Sequence, residues 1–408
     1  MGLVMVKAII LKVLGIFIFL FLGEVHLARA SKISLSSSVA VPLWTIKSKG
    51  AISYLAFAQK AHTLLIATSP DSDIEGSARF YFLTAYNDQG RELWSQKMQS
   101  PVKDLDLSGD GKFAVVSNYE NELLAFDAQG KLLWKTEGTC KPYILSLNQK
   151  ILCHHDDDAK PQIVFDVLDW NGKKTFSYSP TSNLGDALVM KVASDESQVA
   201  LAFRQGQVEV LNQDFKKIGQ AKVDGEIVDL AISKAKEPIL AVLYGPPLVK
   251  GQKMTQKTTD DKQSVALFQS SGKEIAKGKL ETQALQLEWS PAGDRLYHYG
   301  NSPQGQKFGQ ISLPSMKQLW IRGSEFPAVY SSAIAVGVAH VVVGFEETST
   351  AGKNNHLLVF DSSGQQKQGI RLAADLGAHL YSFRASFGAG LCFVATDDGR
   401  LSAYGIKK

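Results

Sequence analysis

One strand-turn-strand unit is written twice in this chain, about 40 residues apart, a spacing that narrows the possible folds sharply. Ala85-Tyr86-Asn87-Asp88-Gln89-Gly90 leads into Arg91-Glu92-Leu93-Trp94, and Ala125-Phe126-Asp127-Ala128-Gln129-Gly130 leads into Lys131-Leu132-Leu133-Trp134. An Asn or Asp shortly before a Gly, between two β-rich apolar runs, marks a tight hairpin. The Asx side chain caps the turn, and Gly takes a positive φ without a Cβ penalty.

Aligned on the Asx position, further copies occur at Val167-Leu168-Asp169, Val210-Leu211-Asn212, Leu267-Phe268-Gln269, Ser312-Leu313 before Trp320, and Val359-Phe360-Asp361. Repeats of this length built from four strands are the blades of a β-propeller. The chain ends on Leu401-Ser402-Ala403-Tyr404, a strand that lacks the partner after its turn. Val41-Pro42-Leu43-Trp44-Thr45-Ile46 near the other end has the Leu-Trp of the outer strands. The sequence therefore predicts an all-β, eight-bladed propeller of four-stranded antiparallel blades, the last closed by the N-terminal strand so that no edge is left open. Seven blades is the alternative count. The repeat positions are Trp44, Trp94, Trp134 and Trp320, read as inter-blade packing, with the turn glycines Gly90, Gly130, Gly172, Gly272 and Gly364.

An inner hairpin accompanies each unit. Asp104-Leu105-Asp106-Leu107 and Lys112 to Val116 flank Ser108-Gly109-Asp110-Gly111, and Leu285 to Trp289 and Arg295 to Tyr297 flank a second Ser/Pro/Gly/Asp turn. The alternation puts one face of each strand in each inter-blade layer. Gln198 to Phe203, Ile239 to Leu243 and His340 to Phe345 fill the second-strand slot elsewhere.

Lys7 and Lys12, the apolar run Val13 to Gly23 and then Ala28-Arg29-Ala30 read as a secretory signal peptide over residues 1–30. The run is short for a membrane span, so an exported protein, periplasmic or secreted, is expected, with no integral membrane segment after cleavage. A retained N-terminal anchor is the other reading. No Cys precedes Cys140, which argues against a lipoprotein, and none of the asparagines lies in a glycosylation sequon, which favours a bacterial envelope. Residues 31–39 read as a short linker and 40–408 as one propeller domain, with an insertion loop at 246–262. At 408 residues the chain is long for one domain unless that domain is a closed repeat array. The formal net charge of +4 is small and spread along the chain, which argues against nucleic acid as a partner.

The long insertions fall between the second and third strands: 69–79, 156–161, 246–262, 302–306 and 348–355. In a meander these loops share a face with the links between blades, and insertions gathered on one face often mark a binding face. Its charge is mixed: Lys250, Lys253, Lys257 and Lys262 stand against Asp260 and Asp261, while Asp71, Asp73 and Glu75 stand against Arg79. That balance suits a protein partner, bound through loops 69–79, 156–161, 246–262 and 348–355.

The densest set of donor groups is Cys140, Cys153, His154, His155 and Asp156, with Asp157 and Asp158 beyond. Three readings stay open for it: unlinked thiols beside a solvated acidic turn, a Cys140 to Cys153 disulfide, or a metal site, although the spacing fits no standard ligand motif. Cys392 reads as core. Asp104 to Gly109 begins like an EF-hand loop, but its twelfth position is Val115. No nucleophile-elbow, zincin or Walker sequence is present, and no catalytic residue is assigned.

On these repeats the chain resembles the quinoprotein-like propellers, with inner turns like those of WD-repeat and related bacterial propellers. It also resembles the propeller lipoprotein of the outer-membrane barrel-assembly machine, which is eight-bladed and not an enzyme. The resemblance covers residues 40–408 and implies the fold. It departs from the quinoprotein repeat in a shorter turn and in having no adjacent cysteine pair, so no cofactor is expected. The function expected is protein binding or scaffolding. An enzyme with its site in the central channel, a quinoprotein-like dehydrogenase or a lyase or lactonase, is the alternative.

Overall fold

The computed structural model describes residues 31–32, 40–70, 80–138, 140–155, 165–180, 187–193, 195–203, 206–234, 237–245, 263–280, 283–302, 305–323, 334–349, 352–372, 380–387, 389–396 and 398–406. Its strands form eight antiparallel blades in chain order. The innermost strands of blades 1 to 8 are Ala51–Ala58, Val102–Leu107, Lys141–Leu145, Ala187–Val192, Ile227–Ile232, Gln286–Trp289, Ile334–Val336 and Leu380–Ser386. The outermost are Glu92–Met98, Leu132–Glu137, Lys174–Tyr178, Lys217–Lys222, Glu274–Lys279, Gln318–Gly323, Gln366–Arg371 and, in blade 8, Trp44–Lys47. No helix occurs among the described residues.

Blade 8 closes as the two orphan strands require: Trp44 pairs with Ala403, Thr45 with Ser402, Ile46 with Leu401 and Lys47 with Arg400. The chain reaches it across the neighbouring blades. Ser31–Lys32, inside the stretch expected to be a linker, pairs in parallel with Arg322 and Gly323 of blade 6, and the Ala40 amide donates to Arg371 O of blade 7 at 2.8 Å.

Why the second strands are apolar without a break follows from the stacking. Each is buried on both faces, so runs such as Leu64 to Ala67, Val199 to Phe203 and Leu240 to Tyr244 show almost no exposure. The buried apolar side chains fall into eight clusters, one in each gap between adjacent blades.

The hairpin before each outermost strand explains the repeat. Oδ1 of Asn87, Asp127, Asp169, Asn212 and Asp361 accepts the amides two and four residues on, at 2.8 to 3.1 Å. A β-bulge then opens the outer strand: Ala85 pairs with Trp94 but Tyr86 with Glu92, leaving Leu93 extra, and Leu133, Ile218, Ile275 and Leu319 are left over in the same way. The bulge points Leu93 outward while Trp94 turns into the next blade, and it breaks the regular edge on which another strand could pair.

Two expected insertion loops are continued ladder. Thr348 pairs with Lys353 and Ser349 with Gly352, so most of 348–355 extends the central hairpin of blade 7; Ser302 pairs with Gly305 in blade 6. Both segments can complete backbone pairs with their partner strand, which an isolated loop cannot. Residues 71–79 and 246–262, and 156–161 entirely, lie outside the described residues.

Candidate functional site

Register places equivalent side chains of the innermost strands at one level around the axis. Counting from the first hairpin of each blade, Asp106 aligns with Tyr143, Lys191, Glu288 and Arg384, and with Ala56, Ala231 and Ala335. Four uncharged residues, three alanines and Tyr143, alternate with four charges of both signs. One level towards the links between blades stand Tyr54, Asp104, Lys141 and Asp229.

Between blades 8, 1, 2 and 3 these residues line a half-open cavity of about 550 Å³, together with Tyr54, Phe57, Asp104, Asp106, Tyr143 and Arg384 among others. Asp106 is held from both sides. Its Oδ1 accepts the Leu107 amide at 2.8 Å and its Oδ2 the Ile144 amide of blade 3 at 2.6 Å. Burial still outweighs those bonds and lifts its pKa to about 6, with Asp104 adding to the rise and Arg384 opposing it. Burial also lowers the Arg384 pKa, against the pull of Asp106. Arg384 Nη1 donates to Phe383 O at 2.9 Å.

Blades 4, 5 and 6 carry a second charged cluster. Lys191 Nζ lies 3.3 Å from Asp229 Oδ1, and Asp229 Oδ2 accepts the Leu287 amide at 2.8 Å. Burial raises the pKa of Glu288 to about 7, Lys191 opposes, and Asp229 raises it further. In both clusters an aspartate on one innermost strand ties down an amide on the open edge of the next, an economical way to satisfy buried backbone donors.

The donor set singled out in the sequence is spread over a disulfide and two histidines in different settings. Cys140 and Cys153 form a disulfide across the inner hairpin of blade 3, with Cα atoms 5.2 Å apart. His154 is buried, and His155 Nε2 lies 3.1 Å from Asp166 Oδ2, an acid the sequence reading passed over. Asp156 lies outside the described residues, and no group of three or more potential metal ligands occurs among those described. Cys392 is fully buried in the layer between blades 7 and 8.

Sequence reasoning did not find the channel charges. Their signal is modest: Asp104-Leu105-Asp106, Lys191 and Arg384 interrupt strands that are otherwise apolar or small. One sequence does not show that strands so far apart share a channel.

Eight sheets of four antiparallel strands, one of them extended by the short parallel strand Ser31–Lys32, close in a ring and make this protein an eight-bladed β-propeller. No family model matches the chain, and no curated protein does. Solved structures with the same fold include BamB from Moraxella catarrhalis, 13% identical over 90% of this chain and 99% of that one, with a TM-score of 0.61. The C-terminal WD40 domain of Sif2 is 12% identical over 91% and 99%, with a TM-score of 0.61. Sqt1 from Chaetomium thermophilum, solved bound to the N-terminus of the ribosomal protein L10, is 12% identical over 88% and 97%, with a TM-score of 0.61. At these identities the likeness is one of fold.

Proposed function

We propose that this chain is an exported, non-enzymatic propeller that binds a protein partner in the bacterial cell envelope, through the face carrying the links between blades and the longer second-to-third-strand connections. The observation that carries export is the Cys140–Cys153 disulfide. Such bonds persist in oxidising compartments and are rare in the cytosol. The charged, apolar-centred segment over residues 1–30 supports the same address.

For partner binding the support is the asymmetry between faces. The second-to-third-strand connection runs from Ser69 to Tyr81 in blade 1, from His154 to Phe165 in blade 3 and from Tyr244 to Ser264 in blade 5. The opposite connections are tight, such as Ser108 to Gly111, closed by a 2.7 Å backbone hydrogen bond. Rigid scaffolds present binding residues on such loops. Similarity in fold to Sqt1, a propeller solved with a bound peptide, is consistent with this use.

Cell fractionation of the full-length chain, with N-terminal sequencing of the product, tests export. A periplasmic or secreted protein beginning near Ser31, with Cys140 and Cys153 protected from alkylation, is the expected result. An unprocessed cytosolic protein with both thiols alkylated would contradict it.

A further inference from the structure

The half-open cavity between blades 8, 1, 2 and 3 belongs to the channel and not to the long connections of the loop face. Its wall comes from innermost strands alone: Ser53 to Phe57 of blade 1, Asp104 to Leu107 of blade 2, Lys141 to Tyr143 of blade 3 and Arg384 of blade 8. A volume of about 550 Å³ lies in the range of small-molecule sites and far exceeds the space of one water.

Four charged side chains line it, Asp104, Asp106, Lys141 and Arg384, and their formal charges cancel. All four are already engaged within the protein. Asp104 Oδ1 accepts the Leu105 amide at 2.8 Å, Asp106 takes the Leu107 and Ile144 amides, and Arg384 Nη1 donates to Phe383 O. Lys141 Nζ lies 5.7 Å from the Tyr143 ring centre. A charged ligand would lose hydration on entering and meet no unbalanced charge to replace it. A wholly apolar ligand would strip water from these groups and return no hydrogen bond. Engaged charges nevertheless keep hydrogen-bonding capacity, since a carboxylate has about four acceptor sites and a guanidinium five N–H groups. Beside them stand the rings of Tyr54, Phe57 and Tyr143. The Tyr54 ring is fixed in place, because its hydroxyl donates to Lys103 O.

We propose that this cavity binds a neutral saccharide of one or two rings. A pyranose matches the wall on both counts: its C–H face is apolar and packs on an aromatic ring, and its hydroxyls each donate and accept at the rim. The hydroxyls extend the hydrogen bonding of Asp104, Asp106 and Arg384 without displacing the bonds these side chains already make. A neutral peptide fits less well. An added strand needs open backbone edges, and the Leu105, Leu107 and Ile144 amides are already taken by carboxylates. The inference stands apart from the partner-binding reading, and either can fail without the other.

Saturation-transfer NMR and calorimetry on the full-length protein, with maltose, cellobiose and trehalose as probes, test it. At least one should bind, with saturation strongest on the C–H protons of one ring face and an affinity that does not change between low and high salt, as a neutral ligand requires. Tyr143→Ala should weaken binding by about twofold to tenfold, the scale of one ring contact. The saturation pattern and salt series are read on the wild-type protein, so they do not depend on how the variant folds. Binding of none of the three at millimolar concentration would overturn the proposal. So would tighter binding of L-glutamate, L-lysine or the blocked dipeptide N-acetyl-L-alanyl-L-leucine amide than of every saccharide, or a bound saccharide whose affinity is untouched by Tyr143→Ala in a folded variant.

Discussion

Trp94 of blade 1 packs directly against the α-carbon of Gly130 in the turn of blade 2, so closely that a Cβ on Gly130 would fall 2.5 Å from Trp94 Cδ2. Trp44 meets Gly90, Trp134 meets Gly172 and Trp320 meets Gly364 in the same way. Three of these indoles also donate to the turn they cover: Trp44 to Asp88 O at 2.9 Å, Trp134 to Trp170 O at 2.8 Å, and Trp320 to Ser362 O at 3.3 Å. The outer strand of one blade is thereby fastened to the turn of the next.

Gly130→Ala should destabilise the protein by about 2 kcal/mol or more, because the position has φ +76° and has no room for a methyl group. Trp94→Ala should cost about 3 kcal/mol through lost burial and the cavity left behind. Urea denaturation of both variants and of the double variant checks the pairing, since residues in contact give a sum that is not additive.

Closure of the ring is testable by deletion. Removing residues 31–48 takes away the outer strand of blade 8 and the Trp44 contact with Gly90, and leaves Arg400–Gly405 as an open edge. A loss of several kcal/mol and a lower melting temperature are expected. A truncated protein that melts with the full chain would mean that the ring is not held by this strand.

The channel carboxylates give stability a pH dependence of definite sign. The folded-state pKa values of Asp106 and Glu288, about 6 and about 7, lie above their ordinary values of 3.8 and 4.5. The native state therefore binds protons more tightly than the unfolded chain, and stability from these groups falls as pH rises from about 4 to 7. Glu288→Gln should raise the melting temperature at pH 8, where the native acid is ionised at a desolvation cost, and leave it nearly unchanged at pH 4. Asp361 works in the opposite direction: hydrogen bonds from Ser363, Lys367 and Gln365 outweigh desolvation and lower its pKa, so its contribution is lost in strong acid. Thermal melts across the pH range read both slopes.

Reducing the Cys140–Cys153 bond should cost roughly 3 kcal/mol, because it closes a loop between cysteines 13 residues apart in the unfolded chain. Melting with and without a reductant, with Cys140→Ala/Cys153→Ala as the control that no longer responds, measures it.

The ring was legible in the sequence wherever a Trp and a Gly marked the outer hairpin, and fainter where other chemistry makes the same joint. Blade 4 has Gly219 in the Trp slot, and the turn of blade 5 closes on that bare backbone, with Ser270 O 1.9 Å from where a Cβ would be. Blade 3 uses Phe176, stacked on Phe215 of blade 4 with centroids 6.0 Å apart, and Phe215 itself takes the positive-φ position filled elsewhere by Gly. Met316 does the same in blade 6, over Gly278 of blade 5. These pairs are complementary in shape but not in identity, so a repeat search sees only half of each. The channel was hidden for another reason. Asp106 and Arg384 owe their meeting to ring closure, which brings opposite ends of the chain together, and no local pattern records it.

A protein partner held on the loop-bearing face, as proposed, should depend on the loops themselves. The most direct measurement is cross-linking in cells, followed by identification of the captured proteins, for three forms of the chain: wild type, one with residues 246–262 replaced by a short Gly-Ser link, and Leu147→Ser on the opposite face. Leu147 is exposed, in the first hairpin of blade 3. The replacement should change stability by no more than about 1 kcal/mol, since loop-closure entropy varies slowly with length. The loop replacement should lose a partner that both the wild type and Leu147→Ser capture. A loop-replaced protein that is folded and still captures every wild-type partner would contradict it.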